Sequence, residues 1–161
     1  NGIGPKIYGT KMRSIVKSVD MVGPVLKQQF TLAQTVSEYG LVPIIEPEVA
    51  IDHPDKGEIE DTLVSLLEFY LHGKDFKVIL KLTPPEEPNL YHNLTVKHNV
   101  EKVVFLSGGY STSEACRRLS MAEGVSASFS RALSEGLNVD QTDDVFNARL
   151  ALNISDIAMV S

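Results

Sequence analysis

The sequence predicts an α/β fold in which parallel strands alternate with helices. Short apolar runs alternate along the whole chain with segments of 3.6-residue periodicity. The 161 residues are 43% apolar and 22% charged, a globular balance that excludes disorder and a fibrous repeat. Polar residues also gather where the predicted strands end. No linker, low-complexity segment or repeat beyond the strand–helix rhythm divides the chain, so one domain is predicted.

The first strand covers Ile7–Val16, and a helix follows from about Gly23 to Tyr39 with Leu26, Phe30, Ala33 and Val36 on one face and Gly40 as its stop. The second strand is Leu41–Glu46. After the polar loop Asp52–Gly57, a helix buries Ile59, Leu63, Leu66, Leu67 and Tyr70, with Gly73 at its C-terminal cap. The third strand, Lys77–Thr83, is ended by Pro84, Pro85 and Pro88, which lack the N–H a strand donates. The fourth, Lys102–Leu106, runs into Ser107-Gly108-Gly109. Ser111-Thr112-Ser113-Glu114 reads as a capping box opening a helix. The fifth strand is Val125–Phe129, and a last helix over about Asp143–Ala158 is predicted to bury Phe146, Leu150, Ile154 and Ile157. Strands separated by helices must be parallel.

Composition narrows the function. Lys and Arg number 15 against 21 Asp and Glu, a net charge of -6 that argues against a general nucleic-acid surface. No apolar run approaches the ~20 residues that span a membrane, and no signal segment opens the sequence. A single cysteine, Cys116, cannot form an internal disulfide, so a cytoplasmic location is expected and packing is its expected role. His53, His72, His92 and His98 show no metal-ligand spacing, so no metal is expected. Two glycosylation patterns, at Asn93 and Asn153, are expected to be silent, and Lys27, Arg117 and Arg118 read as solvated helix charges. The sequence begins at Asn1 and its first methionine is Met12, so further sequence upstream is expected.

Lys11, Glu46, Lys81, Ser107 and Ser130-Arg131 each fall at or near the C-terminal end of a predicted strand, the edge that carries chemistry in (β/α) barrels. Lys81 is in phase with Ile79 and Thr83 and so points where core side chains point. A lysine among apolar groups loses hydration, its pKa falls, and the neutral amine can attack a carbonyl. A structural lysine paired with Glu46 is the alternative. Glu46 and Glu48 flank Pro47 and share a phase; a carboxylate beside such a lysine can shuttle protons, and a salt-bridge role is the alternative, more so for Glu48. Ser107-Gly108-Gly109 before a helix, with Ser130-Arg131 on the next strand, makes a phosphate cradle, although a Gly-Gly pair alone is commonly only a turn.

Five motifs in order resemble class I, Schiff-base, fructose-bisphosphate aldolase: Gly-Thr-Lys-Met-Arg-Ser (9–14), Gly-Leu-Val-Pro-Ile-Ile-Glu-Pro-Glu-Val (40–49), Leu-Lys-Leu-Thr (80–83), Leu-Ser-Gly-Gly-Tyr-Ser (106–111) and Ala-Ser-Phe-Ser-Arg-Ala-Leu-Ser-Glu-Gly-Leu (127–137). The shorter, bacterial-type branch is the most similar, and the resemblance covers essentially the whole chain. It implies a (β/α)8 TIM barrel of which strands 4–8 are present, so that residues 1–161 form the C-terminal portion of a single barrel domain. It implies a metal-independent, usually oligomeric enzyme of glycolysis or gluconeogenesis without cofactor, reversibly cleaving fructose 1,6-bisphosphate to dihydroxyacetone phosphate and glyceraldehyde 3-phosphate. By resemblance Lys81 is the Schiff-base lysine, Glu46 the proton-transferring glutamate, Glu48 the second glutamate of that strand and Lys11 the further active-site lysine. Arg13 contacts substrate, and Ser107, Gly108, Ser130 and Arg131 hold a phosphate.

Two departures matter. The longer branch has glycine where Ser130 stands. Strands one to three, with an active-site aspartate and a lysine, have no counterpart, so the isolated chain is expected to be poorly stable and nearly inactive. The alternatives are a Schiff-base aldolase for tagatose 1,6-bisphosphate, and a non-catalytic incomplete barrel that binds a phosphorylated ligand or a partner chain.

Overall fold

The computed structural model describes residues 7–161. The strands are β1 (Gly9–Val16), β2 (Val42–Val49), β3 (Val78–Leu82), β4 (Val100–Phe105) and β5 (Val125–Ala127). The helices are α1 (Val19–Glu38), α2 (Lys56–Leu71), α3 (His92–Thr95), α4 (Thr112–Ser120) and α5 (Asp143–Ala158). All described strand pairs are parallel, and the sheet order is β1-β2-β3-β4-β5. Crossovers of one hand in one direction place their helices on one side of a sheet. Such a sheet curls away from the helices, and the order is that of five consecutive strands of a (β/α)8 barrel.

The two faces differ accordingly. Val78, Leu80 and Leu82 of β3 are fully buried and belong to one core with Ile59, Leu63 and Leu67 of α2 and Leu26 of α1. Phe30 of α1 stacks on Tyr70 of α2 at 5.2 Å between ring centres. The alternate residues of β3, Ile79 and Lys81, face away from these helices. Lys81 keeps its phase with Ile79 and is buried, and the side it faces is the concave face of the sheet, away from the helices.

Several expected boundaries shift. The first helix begins at Val19 and contains Pro24, because Ser18 rather than the Gly23-Pro24 pair precedes its first turn. Gly40 and Gly73 do sit just past helix ends, with φ of 73° and 71°, the left-handed conformation that glycine adopts without strain. β2 continues through Pro47 to Val49. Its register with β1 runs unbroken to Val16↔Val49, whereas its pairing with β3 covers only Ile44↔Ile79 and Ile45↔Leu80. Pro47 thus lies beyond the β3 ladder and costs it no donor. β5 stops at Ala127, so Ser130 and Arg131 lie in the turn after it, not on the strand. Lys11 is the third residue of the eight in β1 and so lies toward the start of its strand, not its end.

The last helix has the expected bounds but not the expected burial. Ile154 is half exposed, Phe146, Leu150 and Ile157 are only partly covered, and the buried residue is Asn153. Its Nδ2 donates to the carbonyls of Leu133 and Glu135, both at 2.9 Å. The turn after β5 needs donors for its carbonyls, so a polar side chain takes the contact.

The sequence also gave no sign of a buried ion pair. Lys56 and Glu60 are each 1% exposed and bonded to one another across one turn of α2. Lys56 Nζ also donates to the Pro84 carbonyl at 2.9 Å, and Glu60 Oε2 accepts from Glu86 N at 3.0 Å. The pair thereby fastens the proline-rich exit of β3 to α2. Removing one partner of such a pair strands the other in the interior at a cost of about 3–5 kcal/mol. Lys56→Met is expected to lower stability by that amount in urea unfolding at neutral pH. Burial already holds the Glu60 carboxyl above its usual range. The stranded acid takes up a proton as pH falls, so the deficit is expected to narrow at lower pH.

Candidate active site

The concave face gathers what the sequence spread over five strands. Lys11 and Arg13 come from β1, Glu46 and Glu48 from β2 and Lys81 from β3. Ser107 and Gly108 follow β4, and Ser130 and Arg131 follow β5. All nine line one cavity of about 390 Å³, whose wall Leu106 and Ser128 complete.

Glu46, Glu48 and Lys81 are buried at 3%, 7% and 9% exposure, while Lys11, Arg13 and Arg131 reach in from the rim. Glu46 lies between two amines: its Oε2 is 2.8 Å from Lys11 Nζ and its Oε1 is 3.8 Å from Lys81 Nζ. Glu48 lies between two guanidiniums: Arg13 Nε donates to Oε2 at 2.6 Å and Arg131 Nη2 to Oε1 at 3.3 Å. The Arg131 contact joins the turn after β5 to β2 across the concave face, over two intervening strands, which shows how far the sheet has curled. Lys11, Arg13 and Arg131, joined by Lys81 when it is protonated, thus face two carboxylates, in a chain whose net charge is -6. That local excess favours an anionic ligand.

Burial lowers the Lys81 pKa. The Glu46 carboxylate opposes that shift, Lys11 reinforces it, and Glu48 and Arg13 make smaller contributions of opposite sign. The Arg13 guanidinium is held further into its charged state by its bond to Glu48.

The loop after β4 is shaped by glycine. Gly108 has φ of 63° and Gly109 of 124°, and a side chain on Gly108 would come within 2.9 Å of Ile51 Cγ2. The backbone can therefore approach a ligand here more closely than any other residue type would allow. The Ser107 hydroxyl accepts from Ala132 N at 3.4 Å, which ties this loop to the turn carrying Ser130 and Arg131. One expectation is corrected. The N-terminus of α4 does not stand open to lend its potential to an anion: Ser111 Oγ accepts from Glu114 N at 3.2 Å, and the Glu135 carboxylate bonds Thr112 N. The Thr112 hydroxyl also donates to Glu135 Oε2 at 2.5 Å, and these bonds hold the Glu135 carboxyl below the usual range. Glu135 is an internal anion at that helix end, so donors for a ligand come from the Gly108 loop and the side chains. Arg118 is likewise no simple solvated charge: it donates to the Pro85 carbonyl at 3.1 Å and lies 4.4 Å from the Tyr110 ring centre.

Sequence reasoning overlooked the residues that seat this site. Gln29, 1% exposed on the apolar face of α1, donates to Ser14 Oγ at 3.1 Å and to the Glu46 carbonyl at 3.3 Å. Its place in the Leu26–Phe30–Ala33 stripe was the one signal, a glutamine where an apolar residue belongs. No group of three His, Cys, Asp or Glu side chains among the described residues could hold a metal ion. No helix among them is long and apolar enough to cross a membrane.

No protein-family model matches the chain. A protein of Clostridium acetobutylicum called fructose-bisphosphate aldolase class 1 is 48% identical, over 96% of this chain and 54% of its own length. One of that name from Synechocystis sp. is 49% identical, over 96% of this chain and 53% of its own. The chain is a relative of the class 1 fructose-bisphosphate aldolases. It spans about half the length of these curated relatives. Among solved structures, the fructose-bisphosphate aldolase of Plasmodium falciparum, crystallised with TRAP and a small-molecule inhibitor, matches with a TM-score of 0.76. That match covers 95% of this chain and 56% of that one at 20% identity, a likeness of fold.

Proposed function

We propose that the protein containing this chain is a Schiff-base fructose-bisphosphate aldolase, and that residues 1–161 form the C-terminal portion of its single barrel domain. The observation that carries the reading is Lys81: a buried amine with a lowered pKa, on the concave face, 3.8 Å from a buried carboxylate.

Neutral Lys81 attacks the ketose carbonyl carbon, and the oxygen takes up a proton to give a carbinolamine. The Glu46 carboxylate takes the proton that the attacking nitrogen sheds and returns it to that hydroxyl, water leaves, and an iminium forms. The iminium then accepts the electron pair of the C3–C4 bond as a base removes the C4 hydroxyl proton. Glyceraldehyde 3-phosphate departs and an enamine remains. Protonation of the enamine at C3 and hydrolysis of the iminium free dihydroxyacetone phosphate and restore the lysine. Lys11, 2.8 Å from Glu46, keeps that carboxylate paired while Lys81 is neutral.

In this reading Gly108 N–H, Ser107, Ser130 and Arg131 receive one phosphate, and Arg13 contacts the substrate. Arg131 contacts Glu48 through one nitrogen only and is 62% exposed, which leaves donors for a phosphate. The first-strand aspartate and third-strand lysine that the resemblance calls for lie outside these residues. The isolated 161-residue chain is accordingly expected to be nearly inactive.

Borohydride trapping tests the proposal. The complete polypeptide is incubated with dihydroxyacetone phosphate, reduced, digested and weighed. One adduct, on the peptide that carries Lys81, is the expected result. The absence of any adduct, or an adduct confined to another lysine, would overturn the reading.

A further inference from the structure

The end of β2 is held to β3 by a side chain instead of a ladder. Backbone pairing of these strands stops at Ile45↔Leu80, just before Glu46 and Lys81. Pro47 offers no N–H beyond that point. By the two-residue period of a strand, the Pro47 nitrogen faces the same neighbour as Val49 N. Val49 N finds its partner in the Thr83 hydroxyl, donating to Oγ1 at 3.0 Å, and the same hydroxyl donates to the Val49 carbonyl at 2.9 Å. Thr83 is 1% exposed, two residues after Lys81 and on the same face. Its one hydroxyl spends both its donor and an acceptor site on a single residue of the neighbouring strand.

Between the last backbone pair and this bridge lie Glu46 and Glu48 on one strand and Lys81 on the other. We infer that Thr83 is a positioning residue for Lys81, its hydroxyl bridging the ends of β2 and β3 so that the two glutamates stay registered against the lysine. The inference rests on the proposed role of Lys81 and Glu46. Lys56 and Arg118, which hold the carbonyls of Pro84 and Pro85, fix the chain just beyond Thr83, so the hydroxyl has little freedom to leave Val49.

The test compares Thr83→Val, which keeps the shape and removes the hydroxyl, with Thr83→Ser, which keeps the hydroxyl. The readout is the pH dependence of adduct formation between dihydroxyacetone phosphate and the complete polypeptide, with thermal unfolding measured in parallel. Misplacing reacting groups by about 1 Å costs on the order of 100-fold in rate. Thr83→Val is expected to lose about that factor. Its acid limb is expected to move to lower pH, because a retreating Glu46 no longer supports the Lys81 charge. Thr83→Ser is expected to stay within about threefold of the parent. Slow hydrogen exchange at the Val49 amide of the parent protein is expected as well, and reads the bridge even if Thr83→Val fails to fold.

A Thr83→Val protein with the parent's rate and pH profile would overturn the inference. So would equal impairment of both variants, or rapid exchange at Val49. If the parent protein itself traps no substrate, the aldolase reading fails and the positioning role falls with it.

Discussion

Replacing Lys81 by methionine in the complete polypeptide is expected to abolish fructose 1,6-bisphosphate cleavage, with a loss exceeding about 10⁴-fold. Methionine keeps most of the side-chain volume and cannot attack a carbonyl. The change should leave the fold intact. Glu46 would not be stranded, because Lys11 Nζ already sits 2.8 Å from its other oxygen, so no buried charge loses its only partner. Cleavage is read by a coupled assay and folding by thermal unfolding. Activity above about a hundredth of the parent's, in a folded Lys81→Met protein, would contradict covalent catalysis through this residue, since removing a nucleophile leaves only binding and orientation.

Replacing Glu46 by glutamine is expected to lower kcat by about 10²–10⁴-fold, the usual range for a general acid–base. KM should change little, because the phosphate contacts lie on the loops after β4 and β5. The pH profile gives a second, independent readout. Burial lowers the Lys81 pKa, and the Glu46 carboxylate works against that shift. Without the carboxylate the lysine is neutral at lower pH, so the acid limb of adduct formation is expected to move down. Lys11 acts in the opposite sense, and its replacement by methionine is expected to move that limb up. Limbs that shift together, or not at all, would show that neither charge governs the reacting amine.

How much of this was legible in the sequence depends on the kind of signal. The alternation of apolar runs with helical periods placed all five strands and three of the four longer helices, because burial on one face is written locally, and the capping box at Ser111–Glu114 placed α4. The short helix at His92–Thr95 went unseen, since four residues carry no period. β2 runs three residues past the expected Glu46 to Val49, through Pro47; whether a proline ends a strand depends on the neighbouring ladder, which lies outside the segment. The apolar stripe of the last helix was read as core, yet Asn153 is its buried residue, because the turn over Leu133 and Glu135 required a donor.

The candidate site divides the same way. The motifs named its nine residues, and the resemblance ordered them. What brings them together is the curl of a sheet whose helices all lie on one side, which turns Lys11, Arg13, Glu46, Glu48 and Lys81 toward one cavity. The pairing of Glu46 with two amines and of Glu48 with two guanidiniums, the carboxylate cap that Glu135 places on α4, and the bonds from the Lys56–Glu60 pair to Pro84 and Glu86 are long-range contacts. The sequence by itself determined the strand–helix order, the phase of the polar residues and their chemical types, since these follow from local periodicity and composition. Only the tertiary structure decided which charges meet in the site, since Glu48 lies 35 positions from Arg13 and 83 from Arg131, and such distances leave no local pattern to read.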